Sequence, residues 1–118
     1  MSDHSMPELR DTVRAFAQAR DWEQFHNPKN LVMALSVEVA ELVEHFQWRT
    51  AQESAQPDDR AKAAIAQEIG DVLIYLTRLA EVLGIDPLQA AFDKVEINAL
   101  KYPVEKSRGH NRKYTELE

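Results

Sequence analysis

Apolar residues recur every three or four positions along most of this chain, a spacing that indicates amphipathic helices and not strands. Two helix starts are marked by a capping side chain followed by proline at the first helical position, Asn27-Pro28 and Asp86-Pro87. Gly84 is suited to the position just after a helix end. The pattern predicts an all-α fold, most simply a four-helix bundle.

These caps, and the polar stretches between them, set approximate bounds for the predicted helices. The helices run from Pro7 to Asp21 or Phe25, and then over about 28–48, 59–83 and 87–102. A polar loop is predicted at 50–59, and the polar tail at 104–118 is expected to be loose unless a ligand or partner orders it. A length of 118 residues suits one domain spanning 1–118.

Two pairs of acidic residues share one helical spacing. Glu38 and Glu41 lie in the second predicted helix, and Glu68 and Asp71 lie in the third. Because each pair is three positions apart, both acids of a pair project from one side of their helix. At ~100° per residue, Glu38 and Glu68 fall inside the apolar stripes of their helices, and the other two acids lie at the stripe edges. No Lys or Arg is expected in either stripe, although buried carboxylates need a partner.

A divalent cation would neutralise four converging acids. Mg²⁺ prefers carboxylate oxygens and keeps water ligands, which suits a phosphate-bearing substrate. A simpler interpretation is that the acids are exposed on solvated helix faces. A di-iron carboxylate bundle is a third interpretation, but it needs two Glu-x-x-His motifs. Glu23-x-x-His26 is the one match, and it lies at a helix end.

Other polar and aromatic residues could hold a substrate. The fourth predicted helix carries Lys94, Asn98 and Lys101 in one stripe, which could meet phosphates or a base edge, or could simply face solvent. Several aromatic residues lie near predicted helix ends and could stack a nucleobase, although ordinary packing also explains them. The candidates of this kind are Trp22, Phe25, Trp48 and Tyr75, together with His26.

The second and third helices also carry apolar residues away from their main stripes. Helices that are apolar nearly all round are buried on several sides, which four helices in one monomer cannot easily achieve. We therefore expect a homo-oligomer with these faces at its subunit contacts. The residues concerned are Met33, Val37, Ala40, Ala63, Ala66, Leu73 and Ile74.

Composition and charge exclude several classes of protein. The absence of cysteine excludes disulfides, thiolate zinc sites and iron–sulfur clusters. The sequence has neither GxGxxG nor GxxxxGK[ST], the two common glycine-rich phosphate-binding motifs. A net charge of −6 argues against binding a nucleic acid polymer through its phosphates. Without an apolar run of ~18 residues or a signal-peptide pattern, we expect a cytoplasmic protein with no membrane segment.

Longer segments resemble a known family. The acid pattern of Glu38, Glu41, Glu68 and Asp71 is similar to that of the MazG-like superfamily of all-α nucleoside triphosphate pyrophosphohydrolases. The segments RDWEQFHNPKNL, EVAELVEHFQW, EIGDVLIYL, KVEINALKYP and RKYTE resemble its dCTP pyrophosphatase branch. The similarity extends over about 9–116, which is nearly the whole chain.

The resemblance implies hydrolysis of a nucleoside triphosphate, dCTP or a 5-modified dCTP, to the monophosphate and pyrophosphate, a reaction that cleans the nucleotide pool. It implies Mg²⁺ on the four acids, which are then the catalytic residues. It also implies a base pocket from 22–26 with Trp48 and Tyr75, Asn98 near the base or sugar, and a dimer or, preferentially, a tetramer. Lys94 and Lys101 match basic positions for the phosphates. The alternatives are a non-catalytic helical oligomerisation or partner-binding module, and a related pyrophosphohydrolase with another nucleotide substrate.

Overall fold

The computed structural model describes residues 2–117, which form helices and turns without a strand. Within that range, no helix is both long and apolar enough to cross a membrane. The all-α prediction is confirmed, with four longer helices and two single-turn helices. The elements are α1 (Met6–Ala19), α2 (Pro28–Glu44), α3 (Ala51–Ser54), α4 (Asp59–Val82), α5 (Pro87–Lys101) and α6 (Val104–Ser107), with 3-10 turns at Glu23–Phe25 and Tyr114–Glu116.

Side-chain caps begin α2 and α5 where the sequence predicted them. The Asn27 side chain accepts a hydrogen bond from the backbone N–H of Asn30 at 2.9 Å, and Asp86 accepts two from the first turn of α5 at 3.0 Å. Each cap satisfies a backbone donor that has no partner inside the helix. Gly84 follows the end of α4 with a φ of 69°, a conformation that glycine adopts without steric cost. The predicted starts of α2 and α5 are confirmed.

Some predicted helix ends were wrong. The second helix stops at Glu44 and not near Trp48, because the backbone tightens into turns in which Phe46 N–H and Gln47 N–H both donate to the Val43 carbonyl. The predicted loop at 50–59 contains α3, which begins with a reciprocal capping box between Thr50 and Glu53. That motif is present in the sequence and was overlooked.

The chain divides into two compact units, Met1–Ile85 and Asp86–Glu118. In the first unit, α2 packs along α4, and α1 also packs against α4. Its half-buried and buried residues on α4 follow helical spacing, so one face of that helix points inward. Ala17, Leu31 and Ala80 are the buried apolar residues among those described. Many other apolar side chains are left at the surface.

The second unit contains α5, α6 and the last 3-10 turn. Tyr114 from the polar tail packs edge-on against Tyr102, with ring centroids 6.1 Å apart. The Lys101 ammonium lies 4.8 Å from the centre of the Tyr114 ring, a cation–π contact. The tail at 104–118, expected to be loose, thus contains a helical turn and a 3-10 turn, and Tyr114 packs beside the end of α5.

Candidate active site

Three of the four predicted metal ligands come together where α2 packs on α4. Glu38, Glu41 and Glu68 each offer a carboxylate oxygen, and these oxygens lie within 4.8 Å of one another. All three side chains are half-buried. Asp71, one turn further along α4, is also half-buried; it is not in this group of close oxygens, but its charge acts on Glu38. The packing of two helices therefore concentrates negative charge in one place.

Two buried oxygens of this acidic cluster have no hydrogen-bond partner in the part of the chain that the structure describes. One carboxylate oxygen of Glu38 and one of Glu68 are buried without a hydrogen bond from any residue in 2–117. Burial of Glu38, the close approach of the Glu68 and Glu41 carboxyl groups, and the charges of Glu41 and Asp71 together raise the pKa of Glu38 to about 7. Buried, mutually repelling carboxylates without a cationic partner are the donor set that a hard divalent cation requires. The residues present fit such a cation.

The position of these acids follows from the helical repeat. On α2, Leu35 and Leu42 flank Glu38 at three and four positions, and they are half-buried with it. On α4, Ile65 and Val72 flank Glu68 at the same spacing and are half-buried too. Packing of the apolar stripes thus carries the acids inward with their neighbours.

A turn between α1 and α2 presents the aromatic candidates. Asp21 adopts a positive φ of 54°, which reverses the chain after α1, and Gln24 donates to the Asp21 carbonyl at 3.0 Å. Trp22 packs edge-on against Phe16 with ring centroids 5.7 Å apart, yet its side chain stays substantially exposed, as does that of Phe25. The turn therefore holds two aromatic surfaces in contact with solvent.

Comparison with known proteins identifies the family. A model described as the MazG-like family matches residues 33–117. The chain belongs to the MazG-like family. The resemblance noted in the sequence is thereby confirmed.

Named relatives cover almost the whole chain. The dCTP pyrophosphatase 1 of Homo sapiens is 44% identical over 115 residues, which are 96% of this chain and 68% of that protein. The protein of the same name from Mus musculus is 45% identical over 116 residues, with the same two coverages. A crystal structure of a pyrophosphatase from Archaeoglobus fulgidus is 45% identical and superposes with a TM-score of 0.80 over 87% of this chain and 96% of that one. The predicted fold type is confirmed by this likeness.

The other predicted substrate-binding residues of this MazG-like protein lie on three separate segments. Tyr75 is half-buried on α4, one turn beyond Asp71 on the same side of the helix. Trp48 follows the end of α2 and is 89% exposed, so nothing in the described chain covers its indole. On α5, in the second unit, three predicted substrate-binding residues follow one another at helical spacing, namely Lys94, Asn98 and Lys101.

One buried cation was missed by the sequence analysis. Arg78 on α4 is only 6% exposed, and its guanidinium reaches the turn between α1 and α2, where it contacts His26 and Glu23. A wheel of α4 places this arginine outside the main apolar stripe, so burial was not expected there. It is buried because the turn packs on that end of α4, a contact between residues 52 positions apart in the chain.

Proposed function

We propose that this MazG-like protein is a Mg²⁺-dependent pyrophosphohydrolase that converts dCTP or a 5-modified dCTP to the monophosphate and pyrophosphate, and so cleans the nucleotide pool of the cytoplasm. The observation that carries the proposal is the cluster of Glu38, Glu41 and Glu68, in which one buried carboxylate oxygen of Glu38 and one of Glu68 have no hydrogen-bond partner among residues 2–117. The names of the relatives support the substrate, since proteins named dCTP pyrophosphatase 1 match nearly the whole length of this chain. The family match spans parts of both units, which supports treating 1–118 as one functional domain.

The acids supply the catalytic centre in this proposal. Glu38, Glu41, Glu68 and Asp71 would hold the cation. When bound, Mg²⁺ neutralises phosphate charge and makes water more acidic. The carboxylate of Glu38 or Glu41 accepts a proton from the water that attacks the α-phosphorus, and pyrophosphate leaves. The catalytic task is thus positioning and charge stabilisation.

Other residues bind the nucleotide in this proposal. The ammonium groups of Lys94 and Lys101 would balance the charge of the leaving pyrophosphate. Stacking on aromatic rings holds any base, because every base has a π-face, and is worth ~1–3 kcal/mol per base. Choice among bases therefore needs hydrogen bonds, for which His26 and Asn98 are our candidates. The aromatic residues that we assign to stacking are Trp22, Phe25, Trp48 and Tyr75.

We also propose that the protein is a homo-oligomer, with a tetramer favoured over a dimer. Support comes from the large apolar side chains that the described protomer leaves exposed on three helices. Large apolar side chains exposed in such number on a soluble protein mark an interaction surface, and a subunit contact would cover them. The exposed side chains include Met33, Val37 and Val43 on α2, Ile69, Leu73 and Ile74 on α4, and Phe92, Val95 and Leu100 on α5.

The function is tested by measuring pyrophosphate release with Mg²⁺ from canonical and 5-modified nucleoside triphosphates, in ribo and deoxy forms. We expect dCTP or its 5-modified forms to be hydrolysed with the highest kcat/KM. A preference for another base would be consistent with the catalytic role of the acidic cluster but would reject dCTP as the substrate. No release from any nucleotide would favour a non-catalytic helical module.

Trp48→Ala is expected to raise the KM for the preferred nucleotide about tenfold with little change in kcat, because one base-stacking surface is lost. The measurement is steady-state kinetics, accompanied by sedimentation of the variant to determine its mass. An unchanged KM would reject the assignment of Trp48 to the base pocket. A fall in mass would show instead that the exposed indole belongs to a subunit contact.

A further inference from the structure

Arg78 links α4 to the turn between α1 and α2 through two sides of its guanidinium, and the third side contacts Glu81 on α4 itself. Its Nε–H donates to Nδ1 of His26 at 3.1 Å, and one Nη–H donates to Glu81 at 3.3 Å. The other Nη lies 3.5 Å from a carboxylate oxygen of Glu23. Glu81 also receives a hydrogen bond from Arg14 on α1. A planar guanidinium serves three partners in fixed directions, which a lysine ammonium cannot reproduce.

The hydrogen bond to His26 determines which ring nitrogen carries the proton. An arginine Nε–H is only a donor, so Nδ1 of His26 must be the acceptor and the proton of the neutral ring must lie on Nε2. Burial of His26, and after it the positive charge of Arg78, lower the pKa of the imidazole, so the neutral ring is favoured. No residue in 2–117 accepts a hydrogen bond from Nε2. The turn therefore holds a half-buried histidine whose Nε2–H donor is not paired with any described residue.

We infer that Arg78 is a positioning residue, which holds His26 as the Nε2–H tautomer so that this N–H can donate to an acceptor atom of the nucleotide base. The inference rests on the proposed function, because it takes the turn at 22–26 as part of the base pocket. Its location supports this role, since Asp71, Tyr75 and Arg78 follow one another at four and three positions along one side of α4. Arg78 thereby connects the base-recognition turn to the helix that carries Glu68.

Arg78→Lys tests the inference because it keeps the charge and loses the planar three-way contact. We expect the ¹⁵N resonances of His26 to change from the Nε2–H pattern to a mixture of tautomers in the nucleotide-free protein. We expect the KM for dCTP to rise about tenfold with kcat within about twofold, as for the loss of one well-oriented hydrogen bond. Arg14→Gln is the matched control, since it removes a contact to Glu81 without contacting His26; its tautomer and KM should equal those of the wild type.

A double-mutant cycle separates positioning from general stability. In a His26→Ala background, Arg78→Lys should add no further rise in KM, because the residue through which it acts is gone. An additive rise would overturn the inference, as would an unchanged tautomer or an altered tautomer with an unchanged KM in the single variant. If the wild type releases no pyrophosphate from any nucleotide, the proposed function and the base-donating role fail, while the NMR spectra separately test the Arg78–His26 pairing.

Discussion

Glu38→Gln is expected to lower kcat/KM for the nucleotide at least about a thousandfold, because it removes one charged oxygen ligand from a centre that contributes several kcal/mol to transition-state stabilisation. Glutamine keeps the size of the side chain, so the helices should form as before. In cation-free buffer the variant should melt at the same or a higher temperature than the wild type, since the neutral amide relieves repulsion with Glu41 and Asp71. Pyrophosphate release and a thermal melt measure the two effects.

The matched control for this variant is Glu44→Gln. Glu44 is the last residue of α2, one turn beyond Glu41, and its side chain is exposed and outside the acidic cluster. Its substitution should leave kcat/KM within about twofold, as for a surface change. Asp71→Asn should reproduce the loss seen for Glu38→Gln, since we assign Asp71 as the fourth ligand. Full activity of Glu38→Gln would reject the catalytic role of the cluster.

Mg²⁺ together with a non-hydrolysable α,β-imido analogue of dCTP is expected to raise the melting temperature of the wild type by several degrees. A ligand present at about 100 times its Kd stabilises the folded state by about 2.7 kcal/mol when it does not bind the unfolded chain. Each kcal/mol moves the melting temperature of a domain this size by roughly 4 °C or more. Differential scanning fluorimetry with Mg²⁺, analogue, both or neither measures the shift.

The same melts distinguish an enzyme from a helical scaffold. A protein without a cation-dependent nucleotide site would show the same melting temperature under all four conditions. Glu38→Gln should lose the part of the shift that depends on Mg²⁺, whereas Glu44→Gln should retain it. A wild-type protein that is stabilised by the analogue equally well in a chelator would bind nucleotides by another route, which would reject the cation assignment.

Much of the candidate site could be predicted from the sequence because its causes are local. Glu38 and Glu68 were predicted to point inward from the apolar residues three and four positions away, and the structure buries them partly in just that way. The starts of α2 and α5 were predicted because an Asx cap and a following proline act within a single turn. The predicted end of α2 was wrong, because the tightening of the backbone into turns after Glu44 has no comparably strong signal in the sequence.

Arg78 shows why the rest of the site could not be predicted from the sequence. Its burial depends on the turn at 22–26 folding onto α4, and no helical repeat records a contact across 52 positions. The protonated nitrogen of His26 could not be predicted for the same reason, because it is set by the donor that faces the ring. Sequence spacing also could not distinguish Asp71 from the three acids whose oxygens lie within 4.8 Å, since that depends on how α2 and α4 approach each other.

The sequence by itself determined the helices, their caps and the inward direction of the acids, because all three depend on residues within one or two turns of each other. Its longer segments also identified the family. Only the tertiary structure decided which carboxylates converge, that two of their oxygens have no partner among the described residues, and that Arg78 holds His26. Those features arise when separate helices and a turn exclude water from between them, and this burial is what gives each charge and each proton its position.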